Sequence, residues 1–433
     1  MSRDEFQAGE GSVEITPPLS IEMAGFHKPP GKERRITGIR QPTFARALLL
    51  QLKGAQVILV SLDVIGVSRS FARRVKKMVA AKTGVPATNI QLCATHSHST
   101  PSLLFMRQWG AVSEDYQNTV ASKVVEAAEL AKKDLASADT YAGSERVVGG
   151  NFNRTSKTWK TDEKFDIESR DNERWLDTTL QALYFLREPP KRSLAWYHFS
   201  AHPVCYSDGQ AGPDWPGLVG QKLKARDGLT PSYLQGHAGD VNPGTGKSFV
   251  GDPEEVSEAV YAALHHAINH SVRVDCKEMR LVHSDTKVPL DMTELKEQLD
   301  TYRRDPSKCN KGEWVDPGFA KDWFDSAVKW KLKKGALSTP MTAMRLGGAA
   351  LLFHGAELYS YYGLKIRLDS PFPATLAVGY TDDLIGYLPD PNGYKDREYA
   401  AIVVPKILDF PPFTPHAAAE FTSAATALLK KLT

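Results

Sequence analysis

The stretch IQLCATHSHSTP (residues 90–101) is an apolar strand pattern that runs directly into a turn with two histidines, His96 and His98. A second apolar run, residues 194–199, is followed by a turn that contains His202. Neutral imidazole suits Zn²⁺, and three protein ligands with one open position are typical of a catalytic zinc site. The two turns therefore predict a metal site at strand ends.

The elements that precede the first histidine turn form a simple unit. Two strands, residues 45–52 and 57–62, flank a Lys-Gly turn, and the second ends at Asp63. A helix over residues 68–83 follows, because a serine cap begins it and a glycine comes just after its end. The strand at residues 90–94 completes the order hairpin, carboxylate, helix, strand.

A similar order of elements returns near the other end of the chain. Strands at residues 342–346 and 349–353 lead to Glu357, a helix over 358–368 and a strand over 374–378. This pattern predicts an internal duplication, with chance resemblance as the alternative. If the duplication is real, the carboxylate that ends each hairpin points to a shared centre.

The order of strands and helices predicts an α/β fold with mixed β-sheets covered by helices. Residues 1–10 are expected to form a loose tail, and residues 12–18 an edge strand that ends at two prolines. Residues 11–433 are expected to form a single catalytic domain. Residues 293–336 are charged and helix-prone, which predicts a helical insertion.

Composition excludes several classes of protein. The net charge of +3 is far from a nucleic-acid-binding profile, and no apolar stretch is long enough to span a bilayer. The four cysteines have no framework spacing and are interpreted as free thiols. We expect a soluble protein that is cytoplasmic if the chain is complete, and periplasmic or secreted if a signal peptide was removed. The oligomeric state is not predicted.

Three further polar segments are candidates for the site. GHAGDVNPG (residues 236–244) permits a tight turn with free backbone N–H groups, and its Asp240 would orient a histidine or hydrogen-bond a metal ligand. Arg154, after Asn153, would bind a substrate oxygen or pair with a surface carboxylate. Asp214 is either a helix-capping group or a site carboxylate. For the glycine-rich segment, an ordinary turn is the alternative.

The candidate metal ligands are His96, His98, His202, Glu357 and Tyr387. In an extended H-x-H segment both imidazoles lie on one face, since side chains repeat every two residues. Either both histidines bind the metal, or one binds it while the other acts on the substrate.

Together these segments resemble the neutral/alkaline, non-lysosomal ceramidase family. The ordered matches cover nearly the whole chain and are Glu14-Ile15-Thr16-Pro17-Pro18, Thr95-His96-Ser97-His98-Ser99-Thr100-Pro101, Asn153-Arg154-Thr155-Ser156, Ala201-His202-Pro203, Gly239-Asp240-Val241-Asn242-Pro243, Gly355-Ala356-Glu357 and the tyrosines Tyr387, Tyr394 and Tyr399. Each motif alone is weak, but the ordered set is specific.

The resemblance implies a zinc ion held by two histidines, a glutamate and a tyrosine. The residues in those positions are His96, His202, Glu357 and Tyr387. The resemblance also implies that His98 lies beside the metal and that Arg154 and Tyr399 face the substrate. One zinc site is expected, and a second metal near Asp63 is left open.

The sequence departs from the family pattern in three places. The serine of the family's Gly-Asp-Val-Ser-Pro motif is Asn242, and an amide cannot be a nucleophile, so a metal-activated water is the expected attacking group. The turn after the histidines has Thr100 in place of glycine. We also expect no C-terminal immunoglobulin-like domain. These departures make ceramide itself a doubtful substrate.

The sequence therefore predicts a zinc-dependent hydrolase of an amide bond in a small or lipid-like N-acyl amine. Arg154, Tyr399 or His98 would stabilise the oxyanion, and His98 or a site carboxylate such as Asp240 would move the proton. The substrate-binding candidates are Asn153, Asn242, Asp63 and Asp214. Two alternatives stay open: a non-catalytic ligand-binding protein, and a hydrolase of esters or cyclic amides.

Overall fold

The computed structural model describes residues 5–330 and 335–433. Within these residues, nine strands form one mixed sheet and four form a second. The strands of the first sheet are β1 (Gln7–Glu14), β2 (Phe44–Leu52), β3 (Ala55–Leu62), β4 (Ile90–Ala94), β5 (Ala136–Arg146), β6 (Thr179–Arg187), β7 (Leu194–Phe199), β8 (Pro231–Gln235) and β9 (Val272–Val274). The strands of the second are β10 (Met279–Pro289), β11 (Ala336–Leu346), β12 (Ala349–His354) and β13 (Ala374–Val378). The predicted α/β class with mixed sheets is confirmed.

The first sheet has the strand order β8-β7-β6-β5-β1-β2-β3-β4, with β9 paired to β5. Its two halves are joined by a short pairing of β1 with β5 at Ala8 and Ala136. The halves approach each other again far from this link, where the Ser61 hydroxyl donates to the carbonyl of Tyr233 at 2.7 Å. The sheet is therefore strongly curled, and a cleft separates its halves.

Eleven helices are present in the described part of the chain. They are α1 (Arg69–Thr83), α2 (Glu114–Asp134), α3 (Trp215–Asp227), α4 (Pro253–Asn269), α5 (Met292–Arg304), α6 (Pro317–Ala327), α7 (Ser360–Asp369), α8 (Pro391–Lys395), α9 (Tyr399–Ile402), α10 (Val404–Ile407) and α11 (Ala417–Lys430).

Helices α1 to α4, α7 and α11 cover the outer faces of the two sheets. Alternate side chains of β12 show this arrangement: Leu351 and Phe353 pack between the sheets, while Ala350 and Leu352 pack with helices α7 and α11. Helices α1 to α4 pack on the first sheet. Strands buried on both faces are typical of sheets covered by helices on one side and by a second layer on the other.

The two segments of similar sequence have the same topology. Strands β2 and β3 are antiparallel, and β3 is parallel to β4 after α1. Strands β11 and β12 are antiparallel, and β12 is parallel to β13 after α7. The bounds of β4 and β13 agree with the sequence expectation. The duplication itself stays a prediction.

The predicted loose tail is wrong for residues 7–10, and the strand expected from residue 12 is the last part of a longer strand. Strand β1 begins at Gln7 and pairs with β2 along its whole length, but with β5 only at Gln7 and Ala8. Within the described residues, its second half therefore has a partner strand on one side, as an edge strand does. A Cβ atom added at Gly9 or Gly11 would lie 2.3 or 2.1 Å from a backbone oxygen of α2. These glycines let the helix lie directly on β1, which fixes residues 7–10 in place. Residues 1–4 lie outside the described residues.

The segment 293–336 contains helices α5 and α6, as its composition predicts, but residue 336 already begins β11. Residues 331–334 lie outside the described residues. Trp314 and Trp323 are buried in a cluster of this segment's own side chains. That this segment is an insertion, and that residues 11–433 are a single domain, remain predictions.

Candidate metal centre

Three histidines converge where strands end. His96 and His98 follow β4, and His202 follows β7. Their donor atoms lie within 4.8 Å of one another, so this group could hold a metal ion. His96 and His202 are fully buried, while His98 is partly exposed.

The prediction of an extended H-x-H segment is wrong. The chain leaves the strand at Ala94, and His96 has a left-handed backbone with φ of 67°. Non-glycine residues rarely adopt this conformation. The turn nevertheless brings the two rings together, with centroids 4.8 Å apart.

Each histidine turns the same nitrogen toward a backbone carbonyl. The Nδ1 atoms of His96 and His202 lie 2.6 Å from the oxygen of Ile65 and 2.9 Å from that of Val241. His98 Nδ1 lies 2.9 Å from the oxygen of Gly25. Because a carbonyl only accepts, each Nδ1 carries the proton, and each Nε2 keeps its lone pair.

The inward-facing donor atoms have the spacing of metal ligands. His96 Nε2 and His98 Nε2 lie 3.2 Å apart. The Glu357 carboxylate lies 3.4 Å from the Nε2 of both His96 and His202. Tetrahedral ligands at typical zinc distances are separated by about 3.3 Å. Two facing lone pairs at 3.2 Å repel each other, and a cation bound to His96 Nε2 would relieve this repulsion, so these residues fit a metal ion.

Glu357 and Tyr387 reach the histidines from a separate pair of short strands. Residues 356–358 and 386–388 are parallel, and Glu357 is the register partner of Tyr387. The Tyr387 hydroxyl lies 3.3 Å from His202 Nε2. The structure therefore brings together all five residues that the sequence offered as metal ligands.

Burial keeps these histidines neutral. It lowers the pKa of His96 to about 4 and the pKa values of His98 and His202 well below the ordinary value. Burial also raises the pKa of Glu357, against the opposing effect of His96. A neutral imidazole is the form that binds metal, so the site does not have to lose protons from its histidines at pH 7.

Arg154 connects the metal-ligand candidates to the glycine-rich turn. Its guanidinium donates to the hydroxyl of Tyr387 at 2.9 Å, to the carbonyl of Gly239 at 2.8 Å and to the Asn242 side-chain oxygen at 3.2 Å. Burial disfavours the charge of Arg154, but the acidic groups around it, first Tyr387, outweigh burial and raise its pKa.

Asp240 holds the backbone around Arg154. One of its carboxylate oxygens accepts from the Ser360 amide and hydroxyl at 2.7 and 2.8 Å, and the other accepts from Asn153 Nδ2 at 2.8 Å. Its carbonyl accepts the Arg154 amide at 2.8 Å. The carboxylate therefore supports the turn and does not orient a histidine, which was one of its two predicted roles.

A cavity of about 510 Å³ opens beside this centre. Its wall is aromatic, with a few polar groups, and includes Phe26, His98, Trp109, Arg154, Asn242, Phe249, Tyr387 and Tyr399. Such a lining is typical of small-molecule sites, in which apolar walls carry a few fixed polar groups. His96 and Glu357 lie deeper, around a small inner pocket that also touches Tyr387 and Tyr399.

The first half of the chain is similar in sequence to one known family. Residues 6–210 match the family model of the neutral/alkaline non-lysosomal ceramidases, N-terminal. This match confirms the resemblance that the motifs indicate. No curated protein matches the sequence.

Two solved ceramidase structures share the fold. Neutral ceramidase from Pseudomonas aeruginosa is 17% identical, with a TM-score of 0.75, over 99% of this chain and 74% of that chain. A ceramidase complexed with C2 is also 17% identical, with a TM-score of 0.75, over 99% of this chain and 75% of that one. At this identity the likeness shows the fold alone.

Both of the expected substrate-binding carboxylates, Asp63 and Asp214, lie away from the cavity beside the histidines. Asp63 accepts from Arg46 and from the Phe44 amide, both at 2.9 Å, and lines a different cavity. The prediction that both hairpins point a carboxylate to one centre is therefore wrong. Asp214 accepts the Trp215 amide at 2.7 Å and caps α3, which was the alternative reading of this residue.

The other predicted residues are at or next to the cavity. Arg154, Asn242 and Tyr399 line it, whereas Asn153 lies behind it and bonds Asp240. Sequence reasoning missed Tyr380, whose hydroxyl lies 3.3 Å from the Glu357 carboxylate. Tyr380 could have been found from the sequence, because it lies in the polar stretch Tyr380-Thr381-Asp382-Asp383 directly after β13.

Proposed function

We propose that this protein is a zinc-dependent hydrolase that cleaves the amide bond of an N-acyl amine. The observation that carries the proposal is the convergence of His96, His202, Glu357 and Tyr387 beside an aromatic cavity that also contains His98. The ceramidase-like sequence over residues 6–210 supports it.

The proposed zinc ligands are His96, His202, Glu357 and Tyr387. When bound, zinc supplies Lewis acidity, which polarises a carbonyl and lowers the pKa of a water toward 7. Arg154 holds the Tyr387 hydroxyl by a 2.9 Å hydrogen bond and opposes the rise that burial causes in the pKa of that phenol. Arg154 is thus a positioning residue for Tyr387.

The attacking group is water, because the chain offers no nucleophile at the position of the family's serine. Both polar atoms of the Asn242 side chain are hydrogen-bonded. The oxygen accepts from Arg154, and the side-chain NH₂ group donates to the Phe249 carbonyl at 2.5 Å. An amide cannot form an acyl-enzyme. Asn242 instead fixes the wall of the cavity.

His98 and Tyr399 are assigned to the proton and the oxyanion. His98 lines the cavity, and its Nδ1–H is held by the Gly25 carbonyl, so its Nε2 lone pair would accept a proton from the attacking water and return it to the leaving amine. Tyr399 lines the same cavity, and its hydroxyl would donate to the developing oxyanion.

The apolar wall selects the acyl side of the substrate. Phe26, Trp109 and Phe249 border the cavity, and Phe249 is 66% exposed. Burying an acyl chain against such surface contributes about 0.8 kcal/mol for each CH₂ group. The substrate class is therefore a lipid-like or other small N-acyl amine.

The test measures zinc content and amide hydrolysis together. His96→Ala, His202→Ala and Glu357→Gln should lose zinc and activity, while His98→Ala should keep zinc and lose activity. His265→Ala is the matched control, because this histidine lies on α4 and contacts Asp227 at the surface. Full zinc occupancy in both His96→Ala and His202→Ala would overturn the ligand assignment.

A second candidate function is ligand binding without catalysis, which Asn242 favours because it replaces a hydroxyl-bearing residue of the family. The wild-type protein should be assayed on N-acyl amines, N-acetyl sugars, esters and cyclic amides, with and without a chelator. Turnover that the chelator abolishes rules out the binding-only candidate. Turnover confined to esters or cyclic amides would replace the N-acyl amine assignment.

A further inference from the structure

A second cavity lies in the cleft between the two halves of the curled sheet. Its volume is about 340 Å³, within the range of small-molecule sites. Strands β1, β2, β7 and β8 and helix α3 contribute to its wall. Neither the histidine cluster nor the ceramidase motifs line it.

The cavity carries an excess of positive charge. Arg46, Arg192 and Lys224 line it, and Asp63 is the carboxylate partner of Arg46 at 2.9 Å. Arg192 and Lys224 have no ion pair among the described residues. The Arg46–Asp63 pair is buried, with 16% and 3% of the side chains exposed, so Arg46 is held in place.

The remaining carboxyl group on the wall, Glu10, is held by hydrogen bonds from neighbouring side chains. It accepts from the Trp196 indole at 2.9 Å and from the Ser232 hydroxyl at 3.4 Å. Burial raises its pKa above the ordinary value despite these bonds and the nearby Arg46 and Arg192. The wall therefore carries three cations and two carboxyl groups, one paired with Arg46 and the other bonded to Trp196 and Ser232.

An unused hydroxyl lies in this wall. Tyr197 is 1% exposed, and its hydroxyl has no hydrogen-bond partner within the described part of the chain. The group lies close enough to Arg46 and Asp63 for both to affect its pKa, which burial raises well above the ordinary value. A buried hydroxyl without a partner is costly, and a bound water, ion or ligand group is one way to satisfy it.

We propose that this cleft is a binding site for a small organic anion, a carboxylate or a phosphate monoester, whose oxygens accept from Tyr197 and Arg46. Arg192 and Lys224 attract the anion at the mouth. The shared chemistry is an oxyanion, and a bidentate arginine contact is its usual partner. This assignment does not depend on the proposed hydrolase.

Isothermal titration of the full chain with two probes tests the site. Succinate represents the carboxylates and glycerol 3-phosphate the phosphate monoesters, each at ionic strength matched with sodium chloride and with a chelator present. At least one probe should give a saturable single-site isotherm. The probe that binds identifies the source of the oxyanion.

Two variants assign the binding to this cleft. Tyr197→Phe should weaken binding about tenfold, as expected for a lost hydrogen bond to a charged group. It should leave the melting temperature unchanged or higher, because the hydroxyl has no partner in the unliganded protein. The double variant Arg192→Gln/Lys224→Gln should also weaken binding and reduce its salt dependence.

Tyr116→Phe is the control for the loss of a phenol hydroxyl. Tyr116 donates to the Ile15 carbonyl at 2.7 Å, so this variant should lower stability and leave binding unchanged. No saturable binding of either probe would overturn the proposal. So would equal affinity of Tyr197→Phe and the wild type.

Discussion

The guanidinium of Arg154 donates to the phenol oxygen of Tyr387 at 2.9 Å, and that oxygen lies 3.3 Å from His202 Nε2. The arginine thereby connects a turn after a short strand of residues 151–153 to the metal-ligand candidates. Its planar fork also reaches the Gly239 carbonyl at 2.8 Å. A lysine is a point donor that cannot reproduce this geometry.

Arg154→Met should therefore lower kcat for the proposed amide hydrolysis by about 100-fold, in the range found when an electrostatic group of an active site is removed. Arg154→Lys should recover only a small part of this loss. Zinc content is measured beside the kinetics. If Arg154→Lys keeps the wild-type kcat, the planar guanidinium group of Arg154 is not needed for the reaction.

Asp240→Asn should destabilise the protein by about 1–3 kcal/mol. Both carboxylate oxygens accept hydrogen bonds, from Ser360 and from Asn153, and an amide has to turn its NH₂ group toward one of these donors. Urea unfolding measures the loss. Asp139→Asn, which changes a surface ion pair with Arg273, should stay within about 0.5 kcal/mol of the wild type. Equal stability of the two variants would show that the Asp240 bonds contribute little.

Replacing either of two mid-helix glycines by alanine should change the stability of the protein, but in opposite directions. A Cβ atom at Gly363 would lie 2.0 Å from the His237 ring, whereas one at Gly220 meets nothing within 4 Å. Gly363→Ala should lower the free energy of unfolding by about 1–3 kcal/mol, because the new methyl group would overlap the ring. Gly220→Ala should raise it by about 0.5–1 kcal/mol, because alanine favours a helix more than glycine does. Thermal unfolding checks both. Because His237 lies in the turn that contacts Arg154, Gly363→Ala should also reduce activity.

The chelator-treated protein should lose stability as the pH falls from 6.5 to about 4. Burial lowers the pKa of His198 to about 4 and that of His354 to about 3, so below pH 6.5 the unfolded chain takes up protons that the folded chain refuses. Each histidine should contribute a slope of about 1.4 kcal/mol per pH unit in this window. Urea unfolding at several pH values measures it.

His198→Gln and His354→Gln should each flatten this dependence, since glutamine does not titrate. His265→Gln, a change at an exposed position of α4, is the control and should keep the wild-type slope. The same slope in all three variants would show that other groups cause the acid sensitivity.

The sequence predicted the metal-ligand candidates because each ends a strongly apolar strand or continues a recognisable motif. His96, His202 and Glu357 follow strands whose bounds the apolar runs define well. Strand ends that lie at one edge of packed sheets meet in space, so these positions could be inferred without the sheet order.

What the sequence could not predict depends on backbone conformation and on which strands are neighbours. The left-handed backbone at His96 is not visible in a pattern of alternating residues. Asp63 was misplaced because its side chain is taken by Arg46 on the adjacent strand, and strand neighbours are set by tertiary packing. The tail was misjudged because Gly9 and Gly11, which weaken a strand in isolation, are needed for contact with α2.

The carbonyl groups that hold the three histidine rings come from distant parts of the chain. Gly25 precedes the first histidine by about 70 residues, Ile65 by about 30, and Val241 follows His202 by nearly 40. An unfolded or half-folded chain thus has no preformed metal site, and a metal that binds only the native state adds its binding free energy to the stability of the whole fold. Residues 6–210, which carry the family sequence, contain all three histidines but lack the carbonyl of Val241 and both Glu357 and Tyr387. Metal retention would therefore report that the last part of the chain has folded onto the first.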